Sequence, residues 1–344
     1  MTSLVTTALI FAGCLCMVQP LSARHAVFVP GAVWADTNGT PINAHGGGIL
    51  YHQGLYYWLG EIKTGPTWRV PSVTSWNAYR VNAGGVSCYT SRDLLHWNYA
   101  GVALPPYPMD STHDLHPSKV IERPRTLYNA KTKQFVMWLH VDTEDYSYGH
   151  ADVSVSKTPC GPYRYLGSVL PNGHQAHDMT LYQDEDGKAY HIYAAEKKTL
   201  RIALLSDDYL SHTLYDQPVA GGTCREAPAM FKYRGKYYLI TSACTGWEPN
   251  EASYAVANHP LGQWHYAGRP YTGAGARKTF HAQGTYVLPV QATQNAFIFM
   301  ADRWNPENLA DSRYVWLPFS LRRGKPPIAW RDTWDLAVFT NQHK

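Results

Sequence analysis

Four residues far apart in the chain could serve one reaction, namely Glu122, Asp178, Glu226 and Gln283. Each stands at the start of a short apolar run: "ERPRTLYN" from Glu122, "AHDMTLYQ" from Ala176, "EAPAMFKY" from Glu226 and "HAQGTYVLPV" from His281. Several carboxyl groups meeting in one aromatic-lined pocket are what glycoside hydrolysis requires. One must hold a proton at working pH, through burial or a neighbouring carboxylate, while others stay ionised and accept hydrogen bonds from sugar hydroxyls. Plainer roles exist for each acid alone. Glu122 could pair with Arg123, Asp178 could cap a strand, and Arg225 could neutralise Glu226. Their equivalent places in a repeat favour a shared site.

Other side chains join this set. Glu61, directly after "YYWLG", stands at a strand exit and could reach the same pocket. Tyr146, Trp247 and Trp304 follow strand ends, where an aromatic face can stack on a sugar ring, and Thr245 is placed with them as substrate-binding. Trp58, Trp138 and Tyr238 lie within strands and are expected in the core. The 16 histidines include no HExxH or comparable ligand spacing, so no metal is expected, with a structural calcium left open. His113 and His116 are expected in a loop, and His177 and His281 beside the site as hydrogen-bonding groups.

The elements that must position these residues repeat. The four runs and "AHGGGILYHQGLYYWLGE" from Ala44 share a polar start, an apolar strand, a turn and an aromatic-rich strand. Turn signals sit at Gln53-Gly54, Asn129-Ala130, Glu185-Asp186-Gly187 and Arg234-Gly235, with a longer polar loop at 291–295 in the fifth. Between them a second form recurs, as in "CYTSRDLLHWNYAGVAL" and "VANHPLGQWHYAGRPY". Units of about four strands around a ring are the propeller answer to exposed sheet edges. The expectation is all-β: a single-domain, five-bladed β-propeller over 24–344, its blades from about Val27 to Phe339. The four site residues would then line one central funnel. A β-sandwich is the alternative architecture. The segment 63–82 fits no strand pattern and reads as a long loop.

Composition agrees. Hydrophobic residues make up 45% of the 344-residue chain and aromatics 13%, whereas charged residues are only 16%. This favours a β-rich fold with aromatic clefts. A formal charge of +4 without a Lys/Arg cluster argues against nucleic acid. Residues 1–23 read as a signal peptide cleaved near Ala23, although no Lys or Arg precedes the apolar run; "FAGC" before Cys14 is a loose lipoprotein-type alternative. No other run approaches the length of a membrane span. The expected protein is secreted or periplasmic and monomeric, acting on a polysaccharide or oligosaccharide. In an exported chain the cysteines can pair, with Cys224 and Cys244 the most plausible pair since they flank one strand-turn-strand unit; free buried thiols are the alternative.

The whole mature chain resembles the five-bladed propeller hydrolases of glycoside hydrolase family 43, in particular its exo-β-1,3-galactanase branch. The motifs that carry this are "INAHGGGILYHQGLYYWLGE", "IERPRTLYN", "AHDMTLYQDEDGKAY", "REAPAMFKYRGKYYLITSACTGW", "FHAQGTYVLPV" and "MADRW". The resemblance implies an inverting reaction with Glu226 as general acid and Asp178 as the acid that tunes it and orients the sugar. Most of the family has an aspartate base in the first blade, where this chain has "NAHGGG". In the galactanase branch a fifth-blade glutamine, matched by Gln283, is implied to hold the attacking water, as an amide or an imidic acid. Glu122 matches a substrate-contacting acid and alternative base, while Tyr146 and Glu61 match galactose-binding positions. Arabinofuranosidase or xylosidase activity, and a noncatalytic carbohydrate-binding propeller, are the competing functions.

Overall fold

Tight turns set the repeat. Gln53 and Gly54 have φ of 50° and 81°, and Arg234 and Gly235 have 48° and 73°. Such pairs of positive angles belong to two-residue hairpins whose twist matches the strands they join. The computed structural model describes residues 26–74, 78–219 and 224–340. The segment read as a signal peptide, 1–23, lies outside them.

Five sheets of three or four strands follow in chain order among the described residues. The first strands of the five are β1 (His45–His52), β2 (Val120–Asn129), β3 (Ala176–Gln183), β4 (Arg225–Tyr233) and β5 (Gln283–Pro289). Four sheets have four antiparallel strands and the fifth has three. β1 touches β2, β2 touches β3, and so on to β5, which returns to β1. The first strands therefore ring one axis, as expected of a five-bladed propeller. The third strand of the fifth sheet (Arg313–Phe319) meets the N-terminal segment through a bond from Gly31 N–H to Tyr314 C=O of 2.7 Å, and Phe28 bridges to Trp334.

Each sheet is apolar on both faces near the axis because neighbouring blades cover both. The second strand of the second sheet, "QFVMWLHVD", is buried from Phe135 to Asp142. In contrast, the outermost strand Asn98–Leu104 is exposed over most of its length. Five apolar clusters fill the five junctions between blades. The cluster joining the last blade to the first holds Phe28, Trp58, Trp97, Trp316 and Trp334. Burying each large side chain contributes roughly 1.5–3 kcal/mol. Trp58, Trp138 and Tyr238 are core residues, as expected.

One expectation needs adjustment, and the expected disulfide is joined by a second. The segment 63–82 contains a minimal hairpin, Trp68–Arg69 paired with Tyr79–Arg80. Two residues per strand are too few to show alternation in sequence. Cys224 and Cys244 form a disulfide, and Cys88 and Cys160 form a second, joining the first two blades. His113 and His116 lie in turns between blades. Among the described residues no helix is long and apolar enough to cross a membrane.

Candidate active site

A bulge in the first strand of every blade aims the site side chains. The register with the second strand slips after His45, Glu122, Ala176, Glu226 and Gly284. A bulge bends the strand and redirects the residue beside it. Gly46, Arg123 and Ala227, each the next residue after the paired one, have φ of 56°, 56° and 51°. Such strained angles in non-glycine residues cluster at functional sites. Glu122 and Glu226 hold the same place in their blades, whereas Asp178 sits two residues into its bulge.

These side chains converge on a pocket lined by Glu61, Glu122, Tyr146, Asp178, Glu226, Trp247, Gln283 and Trp304, with Arg123, His140, His177 and Lys197. Arg123 is the hub. It grips Asp178 with two parallel bonds, Nε to Oδ1 at 3.0 Å and Nη2 to Oδ2 at 2.9 Å, and also donates to Gln283 Oε1 at 2.6 Å. Its partner is therefore Asp178 and not its neighbour Glu122. Nor does Arg225 neutralise Glu226, because its guanidinium donates to Thr241. Asp178 also accepts from Ala227 N–H at 3.1 Å, which ties the third blade to the strand carrying Glu226.

Glu226 accepts a bond from Gln283 Nε2 at 3.0 Å. Burial, then the nearby Asp178 charge, raises its pKa well above the ordinary glutamate value. It is therefore built to hold a proton. The Gln283 carbonyl accepts from Arg123 and from Trp304 Nε1 at 3.0 Å. Arginine and tryptophan can only donate, so the amide orientation follows from its partners.

Glu122 has the opposite character. Burial opposes its charge, but the contact with His140 and the charge of Lys63 outweigh burial and hold it at about 2. Tyr146 donates to its Oε1 at 2.7 Å. Glu61 is buried, paired with Lys63 Nζ at 2.7 Å, and accepts from Arg123 N–H at 2.9 Å. Burial pushes its pKa up. Lys63 Nζ also stands 5.5 Å from the ring centres of Trp247 and Trp304, which meet edge to face at 4.9 Å. Tyr146, Trp247 and Trp304 thus line the pocket. Thr245 does not: its hydroxyl donates to Glu248 C=O at 2.6 Å, and it reaches Glu226 only through its backbone N–H.

Why the first strand of the first blade carries no acid at its entry is visible in packing. A Cβ on Gly46 would lie 1.8 Å from Glu61 Oε1, and one on Gly47 would lie 2.6 Å from Leu59 O. Gly46 leaves room for the Glu61 carboxylate, which comes from the next strand, while Gly47 and Gly48 admit Trp58 and Arg125. His45 turns instead to Asp302 at 3.2 Å, and Gly46 N–H donates to the same carboxylate at 2.7 Å.

Sequence reasoning missed Arg123 as hub, Lys63, His140 and Asp142. The alternation in "WLHVD" puts His140 and Asp142 on one face of a strand, the one available signal. His177 lines the pocket and contacts Asp142 at 3.2 Å, while His281 does not line it.

A five-bladed propeller with an axial pocket of buried carboxyl groups and tryptophans is the architecture of a carbohydrate-cleaving enzyme. The family model "Glycosyl hydrolases family 43" matches residues 71–303, and the chain belongs to that family of glycoside hydrolases. Solved relatives agree. A GH43 β-1,3-galactosidase solved with galactodeoxynojirimycin is 40% identical, with a TM-score of 0.82 over 90% of this chain and 100% of that one. Another GH43 β-1,3-galactosidase is 36% identical with a TM-score of 0.84, over 92% of this chain. This chain spans 65% of that protein's length. The exo-β-1,3-galactanase of Phanerochaete chrysosporium, solved with β-1,3-galactotriose, is 35% identical with a TM-score of 0.80, over 91% of this chain and 68% of its own. A search of curated proteins finds no match.

Proposed function

We propose that this protein is a secreted, inverting exo-β-1,3-galactanase that releases galactose from β-1,3-galactan or arabinogalactan-type chains. The observation that carries the reading is the proton-holding Glu226 beside Gln283 in the axial pocket, in a chain whose first blade has no acid at the entry of its innermost strand. The names of the similar solved proteins support the sugar. Two disulfides are compatible with export.

Glu226 protonates the glycosidic oxygen as the bond to the anomeric carbon breaks. A water attacks that carbon from the opposite face, so the β-linked sugar leaves as the α anomer. The water's second proton passes to solvent, and Glu226 regains one. Asp178, fixed by Arg123, keeps Glu226 protonated and orients the sugar. Glu122, Glu61 and Tyr146 bind sugar hydroxyls, and Trp247 and Trp304 give the ring an apolar wall; Thr245 supports the loop beside them. No cofactor takes part, and the working unit is a monomer.

Gln283 holds the water by donating from Nε2, which also bonds Glu226, and does not take its proton. Its carbonyl oxygen faces two obligate donors, Arg123 and Trp304. An imidic acid would put a third hydrogen on that oxygen, so the network favours the amide. A carboxylate held at about 2, as Glu122 is, is also a weak proton acceptor. The step therefore relies on positioning and forgoes roughly 10²–10⁴-fold of general-base help. Incubation with β-1,3-galactan should release galactose. Cleavage of arabinose- or xylose-based nitrophenyl glycosides, with none of galactan, would reassign the sugar.

A further inference from the structure

Behind the pocket lies a buried chain of charged groups that the reaction above does not use. Asp142 has a fully buried side chain, and His140 is 1% exposed. His140 Nε2 lies 2.9 Å from Asp142 Oδ2, and its Nδ1 lies 3.3 Å from Glu122 Oε2. The first is a well-formed hydrogen bond, whereas the second is an ion-pair contact with poor alignment. Asp142 is anchored in turn by backbone N–H groups of Thr143 and Tyr148, each at 2.8 Å.

The chemistry of this arrangement is constrained. Two carboxylates flank one imidazole, and an ionised carboxylate only accepts. An imidazolium, with hydrogen on both ring nitrogens, is the state that suits both contacts. Glu122 has the His140 ring against Oε2 and accepts from the Tyr146 hydroxyl on Oε1. Its carboxylate is thereby held in one orientation, with its remaining lone pairs available to the pocket.

We propose that His140 is a positioning residue: a buried imidazolium, anchored by Asp142, that fixes Glu122 as an ionised acceptor for a substrate hydroxyl. This rests on the galactanase reading for the identity of the substrate alone. The other charged or titratable groups facing the pair are Glu61 and Lys63 across the pocket, Arg80 and Lys197 against the Tyr146 ring, and His177. Burial first, opposed by Asp142, leaves His177 lowered and neutral.

The test is direct. In the wild type, ¹⁵N NMR of the His140 ring at pH 7 should show both nitrogens protonated, a state lost only near pH 9. His140→Gln, with unchanged circular dichroism, should raise KM for β-1,3-galactobiose about tenfold, the worth of one charge-assisted hydrogen bond, while changing kcat little. The acid limb of kcat/KM should move up, because Glu122 loses the lowering effect of His140 while Lys63 and Tyr146 remain. Asp142→Asn should do the same to a lesser degree. A neutral His140 ring at pH 7 would overturn the proposal, and so would an unmoved KM and acid limb. Stoichiometric metal in the purified protein would also overturn it, because ligand atoms of His140, Asp142 and His177 lie within 4.8 Å of one another. If the wild type releases no galactose, the functional reading fails, while the ring spectrum still decides the state of His140.

Discussion

At the residue scale, the site separates two carboxyl groups by environment. Glu226 is pushed up by burial and by Asp178, whereas Glu122 is held at about 2. Glu226→Gln should lower kcat by at least about 10³-fold yet leave galactose affinity within a few-fold, measured by calorimetry. Because the acid must be protonated, activity should fall as pH rises through its raised pKa. Asp178→Asn removes a negative charge and leaves Arg123 nearer in effect, and both changes lower that pKa. The basic limb of the pH–rate profile should therefore move down, and a limb that stays put or rises would contradict the assignment. Gln283→Ala should cost about as much as the acid substitution. A loss below about tenfold would give the water to another group. Sequence named Glu122, Asp178, Glu226 and Gln283 because each stands beside an apolar run. His140 and Asp142 were hidden inside a strand that reads as core, and Arg123 was masked by its neighbour Glu122 in sequence.

At the scale of elements, the bulges decide which residues face the axis. The repeat could be read from apolar runs and from turns such as Arg234-Gly235, but a slip of register leaves no mark in composition. The first blade shows the consequence. Its "HGGG" is legible as a missing acid, while the reason lies in Glu61, a residue one strand away. Gly46→Ala should both destabilise the fold and disable the pocket, since its Cβ would collide with Glu61 Oε1 at 1.8 Å and its φ is 56°. We expect a loss of about 3 kcal/mol or more in urea unfolding, with KM raised in whatever protein folds.

At the scale of the molecule, the ring closes by packed side chains and a few backbone bonds more than by a shared strand. The fifth sheet has three strands, and its edge is met by one N-terminal bond and by the stacked rings of Phe28 and Trp334, 4.1 Å apart. Phe28→Ala should cost about 3–5 kcal/mol. Reduction of Cys88–Cys160, which closes a 72-residue loop across the first two blades, should lower stability by about 4 kcal/mol. Both are readable as shifts in thermal denaturation. Five blades were legible because the repeat recurs along the chain. The closure and the Cys88–Cys160 pair were not, because they join segments that share no pattern.

The central claim is that Glu226 and a water held by Gln283 cleave β-1,3-galactan with inversion in a single displacement. The most direct test is ¹H NMR of the wild type digesting β-1,3-galactan, followed from the first minutes. The account predicts free galactose whose α-anomer signal appears first, with β-galactose growing only at the rate of mutarotation. Initial release of β-galactose, or no galactose after long incubation, would contradict it.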